Sequence, residues 1–132
     1  MRIFKNKYFT RFARKEAISD DALCEAAKQL AAGNYDADLG AGVFKQRVAR
    51  PGEGQSGGYR VILCCKLAER AFFIYGFAKS SRANIAPDET RKFKKLAKIL
   101  FSMTDEQLAL MLQHGDFEEL FCEGDLNHGK EL

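Results

Sequence analysis

Lysine and arginine recur in this chain at spacings suited to holding a phosphodiester. Lys45 and Arg47 stand two residues apart, Arg50 follows, Arg60 opens one apolar run, and Lys79 and Arg82 close another. A guanidinium grips a pair of phosphate oxygens bidentately and does not deprotonate. A lysine crowded by like charges can shift its pKa and act as base or acid. A strand would set Lys45 and Arg47 side by side on one face. Arg60 is the most telling, because a cation at the head of a near-continuous apolar strand needs a partner or a groove. The candidate catalytic residues are therefore Lys45, Arg47, Arg60, Lys79 and Arg82, flanked by Arg50, Tyr59 and Ser80 as candidates for substrate binding. Tyr59 has two readings. It stacks on a base or donates a proton at the site, or it packs in the core with Val61, Leu63 and Cys65, which share its strand face.

Other chemistries lack their residues. The two histidines, His114 and His128, both fall in the acidic C-terminal part. No Cys-x-x-Cys or Cys/His cluster offers a metal site, and no phosphate-cradling glycine loop precedes a helix. The run Gly52 to Gly57 lacks the Gly-x-Ser-x-Gly spacing of a serine nucleophile. No metal and no cofactor are expected. Cys24, Cys64, Cys65 and Cys122 read as small hydrophobes kept reduced, and adjacent Cys64 and Cys65 point to opposite faces of a strand.

The elements that must carry the cations follow from periodicity. Gly57 to Lys66 and Ala71 to Ala78 are two apolar runs with a turn near Ala68-Glu69, read as a buried antiparallel hairpin. In a hairpin the start of one strand lies beside the end of the next. Arg60 and the Lys79–Arg82 exit should then converge. Val43 to Arg50 reads as a further strand stopped by Pro51, and residues 33–42 as a loop with Gly33, Gly40 and Gly42. Residues 51–58 form a glycine-rich connection. Near the N-terminus a short strand precedes an amphipathic helix marked by Phe4, Tyr8, Phe9 and Phe12. Ser19 caps a helix over 19–32, Pro87 opens another, and Thr104-x-x-Gln107 is a capping box for a last short helix. Phe117 to Phe121 suggests a short edge strand.

At 132 residues the chain reads as one domain, 1–115, with an acidic tail over 116–132. Charge is unevenly spread. Residues 1–100 hold 20 Lys and Arg against 10 Asp and Glu, whereas residues 101–132 hold one against eight. A basic body points to a polyanionic partner, nucleic acid first. The tail, with Asp116, Glu118, Glu119, Glu123 and Asp125, is either solvated or folded toward the basic face. No apolar run is long enough to span a membrane and no signal region opens the chain, so the expected location is cytoplasmic.

Three stretches carry a family resemblance: Val43-Phe44-Lys45-Gln46-Arg47-Val48-Ala49-Arg50-Pro51-Gly52, Ser56-Gly57-Gly58-Tyr59-Arg60, and Tyr75-Gly76-Phe77-Ala78-Lys79-Ser80-Ser81-Arg82-Ala83-Asn84-Ile85. In order and element length the chain resembles the RelE/ParE superfamily of toxins, and most closely the HigB-like RelE toxins of bacterial type II toxin–antitoxin modules. The resemblance implies an α+β RelE-like fold, with N-terminal helices packed on an antiparallel sheet and additional C-terminal helices. It implies metal-independent, ribosome-dependent cleavage of mRNA, in which the RNA 2′-hydroxyl attacks the neighbouring phosphate. Arg60 would hold the scissile phosphate, Lys45 would serve as base beside Arg47, and Lys79 and Arg82 would supply a second phosphate contact. Ile85-Ala86-Pro87 follow the turn where RelE carries a tyrosine, so the proton donor is unassigned. The implied partners are mRNA, the ribosome and a cognate antitoxin of helix-turn-helix type. ParE-type inhibition of DNA gyrase and non-catalytic RNA or ribosome binding are the alternative functions that fold alone does not separate.

Overall fold

The computed structural model describes residues 1–49 and 58–123. Arg50, the connection through Gly57 and the tail from Gly124 lie outside the described residues. The hairpin foreseen from the apolar runs is the centre of the molecule. Strand β4 (Tyr59–Lys66) pairs antiparallel with β5 (Arg70–Ala78). Their turn places Ala68 at φ +68°, a left-handed geometry that costs a non-glycine residue energy. Around this hairpin a six-stranded sheet runs β2-β3-β4-β5-β1-β6, adding β1 (Arg2–Asn6), β2 (Ala37–Gly40), β3 (Val43–Val48) and β6 (Phe117–Leu120). All pairings are antiparallel except β1 with β5, which is parallel.

Helices cover both faces. On one side lie α1 (Lys7–Lys15) and α2 (Asp20–Ala31); on the other, α3 (Pro87–Ser102) and α4 (Asp105–Gln113). The first layer buries Phe9, Leu23, Ala26 and Leu30 against Val61, Leu63 and Phe73. The second buries Ala97, Leu100 and Leu108 against Ile62, Cys64 and Phe72. Because β4 is covered on both faces, Tyr59 through Cys65 are all buried, which explains its lack of polar alternation. The caps are those the sequence signals. Ser19 Oγ accepts from the Ala22 amide at 3.1 Å, and Thr104 Oγ1 from the Gln107 amide at 3.1 Å. Arg70 closes α3 by donating to the Leu100 and Met103 carbonyls at 3.2 and 2.9 Å.

Three features depart from the sequence reading. Residues 37–40, read as loop, form β2, an edge strand joined to β3 through Gly40, Ala41 and Gly42 at positive φ. Its four residues are too few to show alternation. Within β5 the register shifts, so that Ile62 pairs with Tyr75 but Leu63 with Phe73, leaving Ile74 as an extra residue. Tyr75 and Phe77 thereby face α3, while Gly76 faces α1, where a Cβ would collide with the Phe12 ring. Finally, Cys24 and Cys122 form a disulfide across 98 residues, Cα atoms 5.6 Å apart. Sequence distance hid this pair, and the reading of all four cysteines as reduced is corrected for these two. Cys64 and Cys65 are free and buried, and burial pushes their thiols up to about 12 and about 11, far from reactive thiolates.

The strand expected at Phe117 is present as β6, paired with β1. Its acids do not approach the basic face. Glu119 binds Arg2 at 2.8 Å and Glu118 lies 3.5 Å from Lys5, both on β1. Among the described residues no helix is long and apolar enough to cross a membrane.

Candidate functional site

Strand pairing assembles the cations. Lys45 and Arg47 project from β3 toward the α3 side, as Val43 does. Arg47 lies opposite Arg60 in the β3–β4 ladder, and Arg60 lies opposite Phe77 in β4–β5. Beyond Phe77 the chain turns through Lys79–Arg82, with the Lys79 amide donating to Gly58 O at 3.1 Å. The convergence expected from the hairpin is thus present at one end of the two central strands.

An unforeseen carboxylate organises the group. Asp36, just before β2, lies 3.4 Å from Lys45 Nζ, 3.4 Å from Arg47 Nε and 3.4 Å from Arg60 Nε. Its amide donates to Lys45 O at 3.0 Å, so the β2–β3 pairing fixes its position. Burial pushes the Asp36 carboxyl up. The charge and hydrogen bond of Lys45, and the charges of Arg60 and Arg47, outweigh that and hold it below the usual carboxylate range. Three cations against one carboxylate leave two positive charges uncompensated in the cluster among the described residues. Arg60 is only 5% exposed. Its Nη1 donates to the Tyr59 carbonyl at 3.3 Å, while Nε, despite its proximity to Asp36, makes no hydrogen bond among the described residues. Such a buried donor is costly unless another acceptor arrives.

Asn84 links this cluster to the second arginine. Its Oδ1 accepts from Lys45 Nζ at 3.1 Å and its carbonyl from Arg82 Nε at 2.9 Å. Arg82 also grips Glu89, in the first turn of α3, at 2.6 and 3.2 Å, and donates to Tyr75 Oη at 3.0 Å. Hydrogen bonds from Arg82 and from the Ala86 amide hold the Glu89 carboxyl below its ordinary range. The bond to Glu89 raises the Arg82 guanidinium above its already high value. Arg82 is therefore neutralised and fixed, unlike Arg60.

The remaining candidates are dispersed. Lys79 and Ser80 are exposed in the turn after β5, at the rim. Tyr59 is 2% exposed and points to the opposite sheet face, its hydroxyl donating to Glu16 Oε1 at 3.0 Å and its ring edge-on to Phe12. Consecutive strand residues face opposite sides, so a Tyr59 beside Arg60 in sequence is separated from it by the sheet. Tyr59 therefore packs in the core on the sheet face away from Arg60, and the structure does not bring it together with the cation cluster. Arg50 lies outside the described residues.

Asp36, Asn84, Glu89 and Tyr75 were given no role from sequence. The one signal for Asp36 was the Gly40-Ala41-Gly42 run before β3. Read as a hairpin turn, it would have brought the residues before it alongside Lys45.

No curated protein matches this chain. Residues 1–120 match the family described as the RelE toxin of the RelE / RelB toxin-antitoxin system. That span covers all six strands and all four helices of the described residues, including β6, and the family implies a cognate antitoxin as partner. The chain belongs to the RelE toxin family.

Proposed function

We propose that this toxin is a metal-independent endoribonuclease that cleaves mRNA on the ribosome, of the HigB-like subtype, acting in the cytoplasm and restrained by a helix-turn-helix antitoxin. The observation that carries the reading is the Lys45–Arg47–Arg60 cluster, with its two uncompensated charges and an arginine whose buried Nε lacks a hydrogen bond among the described residues. The Gly76-Phe77-Ala78-Lys79-Ser80 exit supports the subtype.

In the proposed reaction the RNA 2′-oxygen bonds to the adjacent phosphorus as the P–O5′ bond breaks, giving a 2′,3′-cyclic phosphate and a 5′-hydroxyl. The 2′-hydroxyl proton passes to Lys45, which enters the step as the free amine and leaves it as the ammonium, and the leaving 5′-oxygen takes a proton from water. The phosphorane carries one more negative charge than the ground state. Because Lys45 gains its charge in the same step, the surplus positive charge of the cluster among the described residues rises from one to two as the phosphorane forms, which favours the phosphorane over the substrate. Arg60 binds the phosphate oxygens, and Arg47, the most open of the three, meets the incoming strand. Arg82, already paired to Glu89, shapes the wall. Lys79 and Ser80, at the rim, meet the RNA backbone.

The test is induced expression of wild type beside Arg60→Ala, with primer extension on an abundant translated message. Growth arrest with cuts in coding frames, absent in the variant, is expected. Arrest without cuts would refute the nuclease reading and move the weight to gyrase inhibition.

A further inference from the structure

Tyr8 is a large aromatic residue left 58% exposed at the start of α1. The helix does not need it for anchorage, since Phe9 and Ala13 are the α1 residues buried in the core. Its ring instead lies parallel to that of Tyr75, with centroids 5.9 Å apart and planes inclined by 8°. Tyr75 is fixed from three directions. Arg82 donates to its hydroxyl at 3.0 Å, Phe93 of α3 packs on it at 5.6 Å, and Phe77 lies 6.1 Å away. The Arg82 guanidinium sits over the Tyr75 and Phe77 rings, at 6.0 and 5.4 Å from their centroids. A file of rings therefore runs from Phe77, the residue opposite Arg60, through Tyr75 to Tyr8. Lys7 and Arg11, both exposed, flank its outer end.

We propose that Tyr8, backed by Tyr75, is a stacking ledge for an unpaired nucleobase of single-stranded RNA near the scissile phosphate, with Lys7 and Arg11 meeting its backbone. This rests on the ribonuclease reading above. A rigid tyrosine with an open surface and a stacked second ring beneath it offers a flat apolar platform at little entropic cost. Unstacked RNA bases bind such platforms, and neighbouring cations draw the strand toward them. Arg82 then locks the lower ring of the stack, while Glu89 neutralises its charge.

The experiment measures fluorescence anisotropy of the full chain at low salt, with a short unstructured RNA blocked against cleavage by 2′-O-methyl groups. A matched set carries one abasic nucleotide moved along the strand. For Tyr8→Ala, affinity for intact RNA should fall about tenfold, with no further loss on the one abasic RNA that removes the stacked base. Tyr8→Phe should bind as wild type. Arg60→Ala, run in parallel, should weaken every RNA of the set. If Tyr8→Ala binds as wild type, or weakens intact and abasic RNAs alike, the ledge is overturned while an Arg60 effect leaves the ribonuclease reading standing. If the wild type binds none of these RNAs, the ledge is overturned, while the ribosome-dependent reading is decided by the expression test.

Discussion

Lys5 and Arg60 are both buried cations on the same sheet, 8% and 5% exposed, yet their surroundings are charged in opposite senses. Lys5 lies between two carboxylates, Asp20 of α2 at 3.3 Å and Glu118 of β6 at 3.5 Å. Arg60 shares one carboxylate with two other cations. The first site has negative charge in excess and ties two elements together. Those same two elements bracket the Cys24–Cys122 bond, since Cys24 is in α2 and Cys122 follows β6. Among the described residues the second site is short of negative charge, and it sits where the sheet meets a turn. A buried cation is thus informative about function only once its counter-ions are counted.

The contrast breaks first at Arg60. Arg60→Ala should lower the cleavage rate about a hundred- to a thousand-fold, as loss of one preorganised donor does elsewhere, with an unchanged circular dichroism spectrum. An unfolded variant would make Arg60 a structural cation like Lys5. Next is the closure at the other site. Reduction, or Cys24→Ser with Cys122→Ser, should remove about 2–4 kcal/mol of stability, read from urea unfolding. Cleavage at low denaturant should persist; its loss would join the two regions into one.

Asp36→Asn sharpens the contrast from within. With that negative charge removed from the cluster, RNA should bind at least as well, while the turnover rate falls about tenfold because the cations are no longer held in register. A matched fall in affinity and rate would make Asp36 a mere structural pair. Its pH signature has a definite sign. The folded carboxyl titrates below its unfolded value of about 3.9, so Asp36 contributes stability above that pH and loses it as pH falls through the lower folded value. The stability gap between wild type and Asp36→Asn should be constant from about pH 7 to about pH 5 and close in stronger acid. Smallest of all, Lys5→Met should change stability by no more than about 1 kcal/mol, since both partner carboxylates are largely exposed and can hydrate. It should leave cleavage untouched.

What the sequence disclosed, and what it hid, follows the range of each interaction. The β4–β5 hairpin, the Ser19 and Thr104 caps and the side-by-side Lys45 and Arg47 are set by residues a few positions apart, and periodicity reads them directly. The RelE family and the α+β architecture were legible for the same reason. Asp36 was hidden because its meaning depends on β2, a strand too short to announce itself. The disulfide and the parallel β1–β5 pairing join distant parts of the chain, where local patterns carry no signal. Tyr59 shows a different limit. Proximity to Arg60 in sequence argued for the site, while strand alternation argued for the core, and alternation decided.

The extra residue in β5 has a further consequence, one of counting. Side chains along a strand alternate with a period of two, so one residue more or less exchanges inside for outside. The bulge at Ile74 sets this parity for everything downstream. Were the same residues paired without the bulge, Tyr75 and Phe77 would turn toward α1, Gly76 would present its bare backbone to α3, and the ring file beneath Arg82 would not exist. A chain lacking Ile74 would pair Leu63 with Phe73 and Ile62 with Tyr75 in unbroken register and build the same surface, so the bulge lets β5 carry one residue more without exchanging its faces. In this fold the pairing register, more than the number of residues, decides which side chains stand beside the charges.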